Sequence, residues 1–243
     1  MKILVVNPNT TAAMTETAAG AARSVAAAGT VIVPVTAAHG PASVEGYYDE
    51  AFAVPGLIAA IRTGEAEGAD AAIVACFDDT GLDAARAFAT IPVVGICEAA
   101  LLVAGQIAKR ISIVTTLSRS IVPIEDLVSR YGYAARVRVR ASDVPVLALD
   151  DPASGARAKL TAEIERAIAE DRAEAIVLGC AGMADLARDL TRHYGLPVVD
   201  GVAAAVKQAE ALIGLGLTTS KTGTYAPPPP KVYQGLLAGF APG

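Results

Sequence analysis

The feature that most constrains this chain is a phrase it contains twice. "AIVACFDDTGLDAAR" runs from Ala72 to Arg86, and "AIVLGCAGMADLAR" from Ala175 to Arg188. Each is an apolar run, a cysteine, a turn bearing Gly and Asp, and a helix opening. An apolar run without alternation needs both faces buried. A strand meets that need in a parallel sheet covered by helices on both sides. The flanks of the two phrases match as well. Lys2-Ile3 corresponds to Arg110-Ile111, Cys76 to Cys180, Asp83 and Arg86 to Asp185 and Arg188, and Pro92-Val-Val to Pro197-Val-Val. The spacing between copies drifts by only a few residues, as loop insertions in a duplicated unit produce.

The chain therefore reads as an α/β protein of two similar halves. Each half is a parallel sheet flanked by helices, and a pseudo-twofold axis relates them across a cleft. Strands are expected at 2–7, 30–35, 71–76 and 91–96 in the first half, and at 110–116, 135–141, 173–180 and 196–201 in the second. Helices are expected after Asn9 or Thr10 as N-cap, over 50–67, and after Asp79, with "GPASVEGYYDE" (40–50) as a loop. In the second half "RSIVPIEDLVSRYG", "ARAKLTAEIERAIAEDR" and "ADLARDLTRHYG" read as helices. Leu160, Ile164 and Ile168 recur there at i, i+4, i+8. A last helix, 202–215, is expected to cross back to the first half. That gives units of 1–98 plus 205–243, and 99–204. The tail "APPPPK" suits neither a ladder nor a helix interior and is expected to wrap the surface.

Composition excludes several classes. With 243 residues, 53% hydrophobic and 19% charged, the chain can bury a large core and is not disordered. A net charge of -5 without long runs of one sign excludes a nucleic-acid footprint and a basic membrane face. Mean hydropathy is positive, but charged residues, Gly or Pro break every apolar run short of a membrane span. The apolar part of "MKILVVNPNTT" is too short for a signal peptide, so a cytoplasmic location is expected. Three cysteines without a C-x-x-C argue against a disulfide scaffold or a zinc site, and two histidines against a His-rich metal centre. His39 and His193 read as surface residues. No Walker, G-x-G-x-x-G or H-E-x-x-H motif is present, so neither cofactor nor metal is expected.

The chemistry points to Cys76 and Cys180. Each closes a buried strand just before a helix, and ligands bind at the carboxyl ends of parallel strands. A helix N-terminus favours thiolate. When the halves face each other, the two thiols meet across one cleft. One takes a proton from one face of a carbon acid, and the other returns a proton to the opposite face. The adjacent carbonyl absorbs the charge, held by backbone N–H groups of the two turns. Cys97 corresponds to Val202 in the second copy and reads as core. Asp78 and Asp79 cut the other way, because a nearby carboxylate raises a thiol pKa. Asp79 or Thr80 as an N-cap would remove part of that conflict, while Asp78 either points away or serves through its backbone. Asp83 with Arg86, and Asp185 with Arg188, read as surface i, i+3 pairs.

"VVNPNTT", "GPASVEGYYDEA", "ACFDDTGLDAAR", "SIVTTLSR" and "VLGCAGMADLAR", in this order over nearly the whole chain, resemble the Asp/Glu/hydantoin racemase family. The resemblance implies the two-halved fold, catalytic cysteines at Cys76 and Cys180, and a homo-oligomer. It also implies cofactor-independent racemisation of 5-substituted hydantoins at C5. By position it places Asn7, Asn9 and Thr10 at the first strand end and Ser43, Val44 and Glu45 in a loop over the pocket. Phe77, Asp78, Ala181 and Gly182 would offer backbone groups, and Thr115 and Thr116 would close the second half's first strand. Tyr47 and Tyr48 are candidate walls for the 5-substituent. The family pattern is Gly-Asp-Pro in several members where this chain has Asp78-Asp79-Thr80. Alternatives are an allantoin racemase, an aspartate or glutamate racemase, a single-cysteine decarboxylase or isomerase, and a non-catalytic small-molecule-binding protein. The absence of arginine from the cysteine turns before Arg86 and Arg188 weighs against a free amino-acid carboxylate as ligand.

Overall fold

Two four-stranded parallel sheets form the frame, in the computed structural model that describes residues 1–148 and 152–242. The first half contains β1 (Lys2–Asn7), α1 (Ala12–Val25), β2 (Val31–Thr36), α2 (Tyr47–Ala66), β3 (Ala71–Val74), α3 (Leu82–Phe88) and β4 (Val93–Gly95). Helix α4 (Ile96–Ile107) leads into β5 (Ile111–Thr115), α5 (Ile121–Arg130), β6 (Val137–Ala141) and α6 (Ala156–Glu170). The chain continues through β7 (Ala175–Leu178), α7 (Ala187–Tyr194), β8 (Val198–Asp200) and α8 (Gly201–Gly214). The sheet orders are β2-β1-β3-β4 and β6-β5-β7-β8, so the duplicated phrase is a duplicated topology.

Strand alternation divides the core into three layers. Ile3, Val5 and Ile73 from one sheet, and Ile111, Ile113 and Val177 from the other, point into one central core. Their neighbours Leu4, Val6, Ala72 and Val74 face outward under α2 and α3. Ile176 and Leu178 face outward with Leu160 and Ile164 of α6. The central layer is filled by residues of α1, α4, α5 and α8, so the two halves share it.

The layer is closed by an exchange. Helix α8 packs on β3 and β4, while α4 packs on β7 and β8, and the two helices pack on each other. Sequence patterning leaves α4 unassigned. In "ICEAALLVAGQI" the exposed face mixes Gln106 with Leu102 and Ile107, and the helix begins at the residue after β4 with no turn between them. The first turn of α8 is capped by Asp200, whose carboxylate accepts from Val202 N–H (3.0 Å) and Ala203 N–H (2.8 Å). Gly201 lies against the start of α4. A Cβ there would fall 2.5 Å from the Ile96 carbonyl oxygen.

Several boundaries differ from the sequence pattern. Helix α2 starts at Tyr47, so Tyr47 and Tyr48 belong to its first turn and not to the loop. The N-cap of α1 is Thr11, with Asn9 Oδ1 accepting the Thr11 N–H at 2.9 Å. The N-cap of α3 is Gly81, left-handed at φ +70°, rather than Asp79 or Thr80. "ADLARDLTRHYG" divides into a 3-10 turn over Ala181–Leu186 and α7. The tail wraps the first half. Lys221 Nζ donates to the carbonyls of Arg86 and Ala87, and the Tyr225 hydroxyl donates to Asp83. Among the described residues no helix is long and apolar enough to cross a membrane.

Gly201→Ala is expected to destabilise the fold by about 1–3 kcal/mol, the cost of overpacking a tight contact. A urea titration checks this as a lowered midpoint. An unchanged midpoint would show that the α4–α8 contact yields freely.

Candidate active site

The cleft forms where the carboxyl ends of β1 and β3 meet those of β5 and β7, beside the point in each sheet where the strand order reverses. Its lining comprises Asn9, Met14, Val44, Ala75, Cys76, Phe77 and Asp78 from the first half. The second half contributes Thr115, Thr116, Ser120, Val146, Gly179, Cys180 and Ala181. The cleft is narrow, with a free volume of about 30 Å³. Val44 and Val146 come from opposite halves, and both line the cleft. Val146 N–H donates to Glu45 Oε1 at 3.3 Å, and the Tyr47 hydroxyl to Asp126 Oδ2 at 2.8 Å. These two bonds tie the halves together close to the cleft.

Cys76 packs on the outer core of the first half and Cys180 on that of the second, and each is partly exposed. Cys97 is fully buried in the central core. Burial pushes the Cys76 thiol well above its ordinary pKa, and the Asp78 carboxylate adds to the rise. Two donors oppose it. The Thr80 hydroxyl points at the sulfur at 3.3 Å, and the Asp78 backbone N–H bonds to it as well. The balance keeps Cys76 protonated at neutral pH. No hydrogen bond within the described chain claims the backbone N–H of Phe77 or of Ala181, the residues that follow the two cysteines. Both are positioned in the cleft lining, where they can donate to a developing oxyanion.

The two aspartates that follow Cys76 have different fates. Asp79 is buried at a left-handed φ of +46°. Its carboxylate accepts from Cys97 N–H and Glu98 N–H (3.0 Å each) and from the Tyr131 hydroxyl (2.7 Å). It caps α4, not α3. Burial raises its pKa to about 6 against the pull of these three donors. Gly95 makes the room, since a Cβ there would lie 2.4 Å from Asp79 Oδ1. In the second half the position equivalent to Gly95 is Asp200, which caps α8 directly. One copy of the phrase therefore carries a capping carboxylate that the other does not need.

Asp78 lines the cleft and is only 9% exposed. Its pKa is raised to about 7, first by burial and then by the charges of Glu50 and Asp79. Burial also raises Glu50, whose Oε1 is enclosed with no hydrogen-bond partner.

Of the residues expected at the site, Asn9, Val44, Phe77, Asp78, Thr115, Thr116, Ala181 and both cysteines line the cleft. Asn7 lies to one side, knotting the β1 end through bonds to Asn9, Thr11 and Thr15. Thr10 is exposed and bonds to the Pro41 carbonyl. Ser43 and Glu45 flank Val44 without lining the cleft, and Gly182 sits in the 3-10 turn after Ala181. Tyr47 and Tyr48 are exposed outside it and do not form its wall. His39 is exposed beside a separate groove, and His193 is exposed with its ring edge-on to Tyr194. Asp83 pairs with Arg130 and Tyr225, while Arg86 pairs with Glu98, so these two do not form the expected surface pair. The side chain of Asp185 lies outside the described residues. Met14, Ser120, Val146 and Thr80 escaped the sequence reading. Val146 lies in a segment with no periodicity, and Thr80 looked like a cap.

The model of the Asp/Glu/Hydantoin racemase family matches residues 3–209. The chain is 54% identical to a hydantoin racemase of Rhizobium meliloti over 97% of its own length and 98% of that protein. It is 49% identical to a hydantoin racemase of Pseudomonas sp. strain NS671, with 99% and 97% covered. Among solved structures, allantoin racemase from Klebsiella pneumoniae superposes with a TM-score of 0.97 at 47% identity, covering 100% of this chain and 99% of that one. The chain belongs to the Asp/Glu/hydantoin racemase family. It is a racemase, an isomerase acting on a small molecule.

Thr80→Val is expected to raise the Cys76 thiol pKa and slow its alkylation by iodoacetamide several-fold at neutral pH, with Thr80→Ser restoring the rate. Peptide mass analysis at Cys76 reads this directly. Equal rates in wild type and the Val variant would remove the hydroxyl from any role at the sulfur.

Proposed function

We propose that this racemase inverts 5-substituted hydantoins by two-base proton transfer between Cys76 and Cys180. The observation that carries the reading is that two thiols, one from each copy of the duplicated phrase, line one cleft. A hydantoin suits them. Its C5–H is flanked by a ring carbonyl and a ring nitrogen, so removing the proton gives an enolate and needs no electron sink beyond the ring. The Phe77 and Ala181 N–H groups bind the enolate oxygen where charge develops. For one enantiomer Cys180 takes the C5 proton while Cys76 gives one to the opposite face. For the other enantiomer the roles reverse. The C5–H bond breaks toward one sulfur and a new C5–H forms from the other, so the proton count of the pair is unchanged and the two thiols exchange states.

Relatives named hydantoin racemase support the ring as substrate, and the neighbours named allantoin racemase are consistent with it, since allantoin is a hydantoin with a ureido substituent. The cleft also favours a neutral ring over a free amino acid. No Lys, Arg or His is among its described lining residues to hold a carboxylate.

Solvent exchange tests the reading. In heavy water, each enantiomer of 5-benzylhydantoin should gain deuterium at C5 at an enzyme-dependent rate as optical activity is lost. Product of inverted configuration should carry the label. No enzyme-dependent exchange from either enantiomer of 5-benzylhydantoin or of allantoin would overturn it.

A further inference from the structure

We propose that Asp78 determines specificity for the 5-substituent, its carboxylate accepting an N–H from that group. The cleft then favours hydantoins with amide- or urea-type side groups over those with hydrocarbon side groups. This inference rests on the hydantoin reading above and names the substrate class within it.

Three observations carry it. Asp78 is the one charged side chain among the described lining residues, and it is nine-tenths buried. Its carboxylate receives no hydrogen bond from any described residue, and the charged groups that act on it are Glu50 and Asp79, both acids. The carboxylate oxygens are open to the cleft, so a ligand there displaces their solvation: one that brings an N–H replaces it, where a hydrocarbon does not. Asp78 lies within electrostatic reach of Tyr47 and Glu50, in the first turn of α2, and Tyr47 is exposed. On the reading above, the ring's own carbonyl is left to the Phe77 and Ala181 amides, which line the same cleft. Finally, the second copy of the phrase, "CAGM", has no carboxylate at the equivalent turn, so only one side of the cleft offers an acceptor of this kind. Apolar Met14, Val44, Phe77 and Val146 share the lining with it.

The test compares allantoin with 5-benzylhydantoin on wild type, Asp78→Ala and Asp78→Asn. Both kcat/KM and calorimetric binding are measured. The ratio of kcat/KM for allantoin to that for 5-benzylhydantoin should fall at least ~10-fold in Asp78→Ala, the range expected for a lost hydrogen bond to a charged group. The loss should sit in KM and in binding. Asp78→Asn keeps a carbonyl acceptor and the side-chain shape, so its ratio should lie between the two. Using the ratio removes any effect of Asp78 on Cys76, which both substrates share. A ratio unchanged in both variants overturns the proposal, including the case in which both substrates weaken together. So does a wild type that does not bind allantoin. If wild type binds allantoin, and Asp78→Ala loses that binding with no racemisation of either compound, the specificity inference stands and the racemase chemistry at this cleft falls. If both compounds are racemised and the ratio does not move, the reverse holds.

Discussion

The Asp79 carboxylate joins the pieces from which the cleft is built. It stands in the turn that follows Cys76, caps the helix that crosses to the second sheet, and accepts the hydroxyl of Tyr131 from the second half. Burying a carboxylate is costly without donors, and three converge here. Helix α4 is thereby fixed at its N-terminus, and α8 rests against that same end through Gly201. The shared central core and the orientation of the Cys76 turn are therefore mechanically connected. The second half reaches the same result with a local cap at Asp200. The pseudo-twofold is close in topology and broken in chemistry.

That break bears on reactivity. The Cys76 side of the cleft carries Asp78 and a hydroxyl donor at Thr80, which act in opposite directions on one sulfur. Burial and the carboxylate hold the proton on. Thr80 and the Asp78 amide limit the penalty when it leaves. On the proposed mechanism this thiol alternates between acid and base, and the two donors lower the cost of the thiolate that burial raises.

Much of the fold was legible in the sequence because the physics is local and repeated. Apolar strands such as "AIVAC" and "AIVLGC" have one solution, a covered parallel sheet, and the repeat fixed the correspondence of Cys76 with Cys180. The site residues Asn9, Thr115 and Thr116 came from the family resemblance, and the structure places them in the cleft lining. Helix α4 was not legible, since its exposed face carries Leu102 and Ile107 and so shows no clear amphipathic period. Asp79 was misread because its partners, Cys97, Glu98 and Tyr131, are distant in sequence, and a cap is expected to serve the helix that follows it. Val146 reaches the cleft from a segment without pattern, and only tertiary structure brings it opposite Val44.

The central claim is that two thiols share one proton transfer from opposite sides. The most direct measurement is the turnover of each enantiomer of 5-benzylhydantoin by Cys76→Ser and by Cys180→Ser, with Cys97→Ser as the comparison. Each of the first two should lose at least ~100-fold with both enantiomers, the range for removing a positioned acid or base. Cys97→Ser, altered in the core alone, should retain turnover. Near wild-type racemisation by either Cys76→Ser or Cys180→Ser would contradict the account.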